Sequence, residues 1–381
     1  MSIKYITVCV FCIIGILGIL LHHWLEMCIY CTYLTSSEQV AHLTFTNFES
    51  ILNRVSENDS SSTVICSVES HFGDKATERL ALALYANTRV TILRLGNNIS
   101  DAGAKDLAQM LEHNTTLEVL DLSGNVSISA PGIKSLAKVL ETNTTLVSLN
   151  LSGTNIKQQA CEALGRMLKV NTTLRILVIT GSGFHNKFGD NGVKGLEAGL
   201  KHNRSLTKLS IANNGITSVG ANILAGILEK NFTMTEFNIS SNSFGPDGLL
   251  AFMKMLMVNV TLTKVNISSD NQFDPNLVAS MSQMIASNEK LTNLTMFVNL
   301  TQYWGLNPGW TTQLELALES NNSLMEFNTN IVSSNFSEIL FDNNFRRLFI
   351  TLMLLFSAYG SIVPLLVIKR IVKDVLLKIK L

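Results

Sequence analysis

The side chains that most often do chemistry in enzymes are scattered through this 381-residue chain. Its seven histidines lie at positions 22, 23, 42, 71, 113, 185 and 202. The sequence contains no G-x-S-x-G, no H-E-x-x-H and no phosphate-cradling glycine loop, and the stretch Gly181-Ser-Gly183 is interpreted as a turn. We therefore predict that the protein is not an enzyme and that it holds no metal ion or cofactor.

The six cysteines form neither a disulfide framework nor a complete zinc site. Cys28 and Cys31 make one C-x-x-C pair, but no second pair follows at metal-ligand spacing. Because this pair lies beside an apolar segment, juxtamembrane thiols that could be palmitoylated are the better interpretation. Cys66 and Cys161 lie far apart in the body of the chain.

The charge balance excludes a general attraction for nucleic acid. Lys+Arg and Asp+Glu both number 29, so the formal net charge is zero. Charged residues make up only 15% of the chain, against about 25% in typical soluble domains. The apolar excess sits at the two ends of the sequence.

Residues 5–21 and 348–368 are apolar enough to enter a bilayer. The first segment lacks a small-x-small cleavage pattern, which favours an uncleaved signal-anchor over a cleaved signal peptide. The second is flanked by Arg346 and Arg347 before it and by Lys369 and Arg370 after it. We predict an anchor and juxtamembrane region at 1–34, a transmembrane helix in 344–370, and a basic tail at 371–381 that either lies on anionic lipid or is solvated.

The distribution of basic residues around these segments predicts how the chain is oriented. The carboxyl-terminal side of the second segment carries more basic residues than the side that faces the body. By the positive-inside rule, both ends are then cytoplasmic and the body is luminal or extracellular.

One pattern recurs along the chain between these segments. An asparagine is followed three residues later by an apolar residue that opens a short alternating run, as in Asn143 and the run Leu146-Val-Ser-Leu149-Asn-Leu151. Such alternation predicts a strand with one buried face. Leucine pairs before the asparagine, such as Leu107 and Leu111, share one face of a predicted helix. The anchor asparagines are Asn87, Asn114, Asn143, Asn171, Asn203, Asn231, Asn259, Asn288 and Asn321.

The repeated pattern N-x-T-L-x-x-L-x-L resembles the ribonuclease-inhibitor type of leucine-rich repeat. The resemblance implies an α/β solenoid of about nine to ten repeats over residues 35–343, with a parallel inner sheet and outer helices. This family includes inhibitors, innate-immune sensor modules, GTPase-activating proteins and actin-binding caps, so the resemblance also implies a protein partner. Known members are mostly cytosolic, which keeps a cytosol-facing body as the alternative.

The resemblance also implies where a partner would bind. Side chains between the buried strand positions form the concave face of such arrays, and two longer units add aromatic residues in loops. A solvated sheet, and aromatic residues that fold back over the array, are the alternatives. The predicted partner contacts are Arg94, Asp121, Lys208, Glu236, Lys264 and Glu326 on the strands, and Phe184, Phe188, Tyr303, Trp304 and Trp310 in the loops.

The chain holds sixteen Asn-x-Ser/Thr sequons, which accept glycans in a luminal domain. The repeat itself requires asparagine before the strand, so many sequons could be by-products of the pattern. The predicted glycan acceptors are Asn58, Asn114, Asn143, Asn171, Asn203, Asn231 and Asn259.

These observations favour a membrane-anchored scaffold for protein recognition or an adaptor, bound to lipid through both termini. Two alternatives remain open. One is a cytosol-facing sensor or regulatory array tethered to an organelle. The other is a purely structural repeat module.

Overall fold

The computed structural model of the chain describes residues 40–43, 47–59, 63–67, 72–96, 98–182, 187–269, 275–297 and 308–329. Both predicted membrane segments and the basic tail lie outside these residues, as do Phe184, Tyr303 and Trp304. Within the described part of the chain, no helix combines the length and the apolar character needed to cross a bilayer.

The strands of the described residues form one parallel sheet in which each strand pairs with the next along the chain. Their order in the sheet is therefore their order in the sequence. The eleven strands described are β1 Val40–Leu43, β2 Val64–Ser67, β3 Ile92–Arg94, β4 Val119–Asp121, β5 Ser148–Asn150, β6 Ile176–Val178, β7 Lys208–Ser210, β8 Glu236–Asn238, β9 Lys264–Asn266, β10 Asn293–Met296 and β11 Glu326–Thr329.

A helix connects each described strand to the next. In chain order these helices are α1 Phe48–Ser56, α2 Asp74–Leu84, α3 Asp101–Leu111, α4 Ala130–Leu140, α5 Gln158–Val170, α6 Gly189–His202, α7 Ser218–Leu228, α8 Gly245–Val258, α9 Pro275–Ser287 and α10 Pro308–Ser320. The solenoid architecture predicted from the repeat is thereby confirmed for the body of the chain.

The short strands bury their central residue and leave its neighbours partly exposed. Leu93, Leu120 and Leu149 are fully buried at the centres of three successive strands, and they face one another in register. Because side chains alternate along a strand, the residues before and after each leucine lie on the opposite face of the sheet.

Each helix covers this buried face with the leucine pair expected from the sequence. Leu107 and Leu111 on α3 are buried, as are the equivalent pairs on α4 to α7. The pairs join the strand leucines in one continuous hydrophobic cluster. A single repeat could not bury both its strand and its helix, so each unit depends on its neighbours for stability.

Aspartates tie the amino-terminal ends of neighbouring helices together. Asp101 Oδ1 accepts hydrogen bonds from the backbone N–H groups of Ser129 (2.7 Å) and Gly132 (2.9 Å), and its Oδ2 accepts one from the Ser129 hydroxyl (2.7 Å). Asp74 and Asp190 make the same three bonds to the following repeat. These carboxylates satisfy helix-end donors that have no partner within their own helix.

The ends of the array differ from the sequence prediction. The described sheet contains one strand more than the upper estimate of ten repeats, because β1 pairs with β2 although neither has the full leucine pattern. The last described strand begins at Glu326, and the first described helix, α1, follows β1 directly.

Candidate recognition surface

The face of the sheet opposite the helices is the extended surface that the repeats build together. We call it the open face and define it by the first and third residues of strands β3 to β10. Most are half-buried, whereas Lys208 and Lys264 are exposed and Ser210 is buried. Its members are Ile92, Arg94, Val119, Asp121, Ser148, Asn150, Ile176, Val178, Lys208, Ser210, Glu236, Asn238, Lys264, Asn266, Asn293 and Thr295.

The anchor asparagines tie the start of each strand to the end of the helix one repeat earlier. The Asn203 amide NH2 donates to the carbonyls of Leu168 (2.8 Å) and Asn171 (3.1 Å). Its Oδ1 accepts from the backbone N–H groups of Ser205 (3.0 Å) and Leu206 (2.7 Å). One side chain thus satisfies both a helix-end carbonyl and the turn that starts the strand.

The same arrangement recurs along the described array. All nine anchor asparagines accept the two backbone N–H groups, and eight of them donate to a carbonyl in the last turn of the helix one repeat earlier. This buried polar ladder sets the register of the strands, and therefore the positions of the open-face side chains.

A second set of polar side chains is oriented by its own backbone. Asn238 Oδ1 accepts the N–H of Ser240 (3.0 Å), Asn266 Oδ1 accepts that of Ser268 (3.1 Å), and Asn150 makes the equivalent bond. Within the described residues, the amide nitrogens of these three asparagines have no hydrogen-bond partner. They are donors available to a ligand on the open face.

Lys208, Glu236 and Lys264 form one ion-paired row across three adjacent strands. The Nζ atoms of Lys208 and Lys264 lie 3.2 Å and 3.0 Å from the two carboxylate oxygens of Glu236. Partial burial of the Glu236 carboxyl raises its pKa, but the hydrogen bonds and attraction from both lysines outweigh burial, so the pKa lies below its ordinary value. The row holds one more positive than negative charge.

The other predicted strand contacts are placed by the same register. Arg94 and Asp121 are direct neighbours on β3 and β4. Glu326 begins β11 next to Asn293, and only its backbone is described. The structure therefore brings Lys208, Glu236 and Lys264 together, and it places Arg94 and Asp121 several strands away from them.

The aromatic loop residues fall into three groups. Phe188 is a correction, because its side chain is buried in the core and packs over Gly192 at the start of α6, so it is not available as a partner contact. Trp310 lies in the first turn of α10, and only its backbone is described. Phe184, Tyr303 and Trp304 lie outside the described residues.

The burial of the anchor asparagines argues against glycans on most of the predicted acceptors. Asn114, Asn171, Asn203, Asn231 and Asn259 are each less than 5% exposed. A glycan would replace an amide hydrogen that four of these five use for bonds inside the body. Asn143 is half-buried and donates to Leu111, and Asn58 is half-buried and donates to Thr88.

The described residues bear on two kinds of chemistry, metal binding and thiol reactivity. They contain no group of three His, Cys, Asp or Glu side chains that could hold a metal ion. Burial, with a smaller contribution from Glu162, raises the pKa of the Cys161 thiol far above its ordinary value, so this cysteine is not a reactive thiolate.

Two features of the array were missed at the sequence level, although both left a signal. The lysine–glutamate–lysine row follows from residues 208, 236 and 264 being 28 apart, since equivalent positions stack in a parallel sheet. The signal for the aspartate caps is a pair of motifs one repeat apart. An aspartate stands at the start of one helix, and the next helix begins with Ser/Thr-x-x-Gly.

Comparison with known proteins supports the repeat assignment. Residues 113–137, 142–165, 202–224 and 230–253 match the family model described as a leucine-rich repeat. A search of curated protein sequences finds no match.

Several solved structures are similar to this chain at low identity. Leiomodin-1 actin-binding site 2 is 21% identical over 48% of this chain and 88% of that one, with a TM-score of 0.33. The Caenorhabditis elegans tropomodulin C-terminal domain is 16% identical over 49% and 93%, with a TM-score of 0.33. The yeast Rad7–Elc1 complex is 17% identical over 71% and 73%, with a TM-score of 0.45. At these values the likenesses say nothing about what this chain binds.

The matched segments cover the central repeats, where each anchor asparagine starts a strand and each leucine pair lies on a helix. The body of this chain is thus an array of stacked strand–helix units, and four of its segments match the leucine-rich-repeat model.

Proposed function

We propose that this protein is a recognition scaffold that binds a protein partner on the open face of its sheet. The observation that carries the proposal is the open face itself, in which polar and apolar side chains are held in rows by the buried asparagine ladder. A surface ordered in this way loses little conformational freedom on binding, which favours affinity.

Two parts of the open face offer complementary contacts to a protein. Ile92, Val119 and Ile176 give partly exposed apolar side chains on the amino-terminal strands. On the carboxyl-terminal strands, Asn238 and Asn266 offer amide donors beside the ion-paired row. Specific protein interfaces combine apolar contacts with hydrogen bonds from neighbouring polar groups.

Site-specific crosslinking in cells tests this proposal. We expect a photoreactive amino acid at Val119 or Asn238 of the full-length chain to crosslink one and the same protein, and the charge reversal Lys208→Glu to abolish the crosslink from position 238. The matched control is the same photoreactive residue at Lys254, which is exposed on the outer helix α8. Equal crosslinking from position 254, or an unchanged pattern in the Lys208→Glu variant, would refute binding at the open face.

We also propose that apolar segments at the two ends hold the body at a membrane. This part rests on the sequence of residues 5–21 and 348–368 alone. The full-length chain should remain in the membrane pellet after alkaline carbonate extraction. Release of the chain into the supernatant under these conditions would remove the anchoring proposal.

The side of the membrane on which the body lies is a separate question. The charge bias of the carboxyl-terminal flank favours a luminal or extracellular body, while the burial of five predicted glycan acceptors removes part of the support that the sequons gave. A cytosol-facing regulatory array tethered to an organelle is the second candidate. Protease treatment of sealed vesicles distinguishes the two, because only a luminal body is protected until detergent is added.

A further inference from the structure

The loops that join helix ends to strand starts form one edge of the array, and its chemistry changes abruptly along the chain. We compare three positions in each loop: two residues before the anchor asparagine, one before it and one after it. Around Asn114 and Asn143 these positions hold Glu112, His113 and Thr115, then Glu141, Thr142 and Thr144. This part of the edge is polar and carries two acids.

The next four loops carry cations and exposed apolar residues at the same three positions. We call this stretch the basic–apolar edge, and its members lie beside Asn171, Asn203, Asn231 and Asn259. Glu229 is the one acid at these twelve positions. The basic–apolar edge consists of Lys169, Val170, Lys201, Arg204, Lys230, Phe232, Val258 and Val260.

The apolar members are unusually exposed for a protein whose other large side chains are mostly in the core. Phe232 is 65% exposed, Val258 and Val260 are each 56% exposed, and Val170 is 55% exposed. Phe232 and Val260 lie in touching loops, because the Asn259 amide and the Thr261 hydroxyl both donate to the Asn231 carbonyl. Phe232, Val258 and Val260 are therefore in neighbouring loops rather than isolated along the chain.

The cations lie in the loops that come before or include Phe232. Lys230 is two residues before Phe232 in the same loop, Lys201 and Arg204 lie in the preceding loop, and all three cationic residues are exposed. Lys201 pairs with Glu197 at 2.6 Å on the outer side of α6, and the Arg204 guanidinium donates to the carbonyls of Lys201 and Asn203. Both contacts are at the surface, where solvent screens them and leaves a positive field.

We infer that the basic–apolar edge rests on an anionic lipid surface. Exposed phenylalanine and valine side chains beside lysine and arginine are the composition that enters the boundary between headgroups and acyl chains. Lysine stems can reach lipid phosphates, and several cations in neighbouring loops are attracted to an anionic leaflet. Because the residues are spread along one edge over four repeats, a broad surface fits them better than a single peptide. This inference does not depend on the open-face function.

Hydrogen exchange of the full-length chain in lipid nanodiscs tests the inference. We expect amides in residues 228–234 and 256–262 to exchange about fivefold more slowly in discs that contain phosphatidylserine than in discs of phosphatidylcholine alone. Residues 111–116 and 140–145 occupy the same edge without lysine, arginine or exposed apolar side chains, so their exchange should not change. If the termini anchor the chain, they do so in both kinds of disc, so anchoring does not contribute to the difference in exchange rate between them.

Variants make the result specific to the proposed residues. Phe232→Ser with Val260→Ser, and separately Lys169→Gln with Lys230→Gln, should remove the lipid-dependent slowing while leaving the thermal midpoint unchanged. Leu82→Ser is the matched control, because Leu82 is 70% exposed but lies on α2, away from this edge. Equal exchange in the two lipids, or slowing that persists in both double variants, would overturn the inference. The same slowing produced by soluble polyglutamate with neutral discs would assign the edge to an acidic protein instead.

Discussion

At the scale of single residues, the anchor asparagine explains much of the sequence. Each anchor accepts two N–H groups where the next strand starts, and eight of the nine also donate to the end of the helix one repeat earlier. No other small side chain offers both an acceptor and two donors in this shape. The repeated Asn-x-Ser/Thr triplets are therefore accounted for by folding requirements, whether or not any of them carries a glycan.

Replacing one anchor asparagine should lower the free energy of unfolding more than replacing an exposed asparagine. Asn203→Ala leaves two carbonyls and two N–H groups without their partner, so we expect the free energy of unfolding to fall by about 2–4 kcal/mol. Asn222→Ala, on the exposed side of α7, is the control and should change it by less than about 0.5 kcal/mol. Urea unfolding followed by circular dichroism measures both, and similar losses for the two variants would contradict the role of the ladder.

The ion-paired row predicts a small dependence of stability on pH. The pKa of Glu236 is lower in the folded chain than its ordinary value of 4.5. Its contribution to the free energy of unfolding is therefore complete at pH values above 4.5, the ordinary pKa. That contribution is lost as the pH falls through the lower pKa of the folded state. Because both lysines are exposed and the Glu236 carboxyl is only half-buried, we expect Glu236→Gln to lower the free energy of unfolding by less than about 1 kcal/mol at pH 7.

Unfolding measured at neutral pH and again in strong acid checks this expectation. The difference between the natural chain and Glu236→Gln should shrink as the pH falls, because the carboxyl becomes protonated in both states. Glu289→Gln, an exposed residue of a nearby loop, serves as the comparison. A difference that grows toward acid would have the wrong sign for a glutamate stabilised by two lysines.

At the scale of elements, glycines set how closely two helices approach. A Cβ atom on Gly199 of α6 would overlap the backbone of Gly165 on α5, and one on Gly165 would overlap the backbone of Gly195. Only the packing shows that the contact is between backbones, where neither helix can yield by a change of side-chain rotamer.

Two glycine substitutions should therefore have opposite effects. Gly199→Ala forces α5 and α6 apart and should lower the free energy of unfolding by about 1–3 kcal/mol or more. Gly226→Ala on α7 meets nothing within 4 Å and should raise it by about 0.5–1 kcal/mol, since alanine loses less backbone entropy in a helix. Thermal unfolding of the two variants distinguishes them, and a destabilised Gly226→Ala would contradict the contact analysis.

At the scale of the whole array, stability is shared between neighbours. Each repeat touches the one before it and the one after it, so a defect in the centre weakens two interfaces and a defect at the end weakens one. The last strand is thus expected to separate from the array more easily than a central strand.

Two leucine truncations test this difference. Leu209 at the centre of β7 and Leu324 before β11 are both buried. We expect Leu209→Ala to destabilise the array by about 2–5 kcal/mol, and to shift the main thermal transition. Leu324→Ala should instead accelerate hydrogen exchange around β11 and leave that transition nearly in place. The same shift in both variants would show that the body unfolds as a single cooperative unit.

The repeat, the strand positions of the open face and the buried leucine pairs of the helices could all be predicted from sequence. This was possible because alternation and helical spacing are local properties, and nine copies of one pattern reinforce each other. The first strand escaped prediction, because β1 lacks the leucine pattern and is recognised only by its pairing with β2, whose Ile65 lies in the core.

Only the tertiary structure decided which side chains are exposed, paired or buried. Phe188 is apolar and lies beside a glycine-rich insertion, yet it belongs to the core. Lys208, Glu236 and Lys264 are far apart in sequence and become neighbours only through the strand register. The buried anchors and the basic–apolar edge likewise depend on how repeats stack, and stacking is a contact between distant residues that local spacing does not encode.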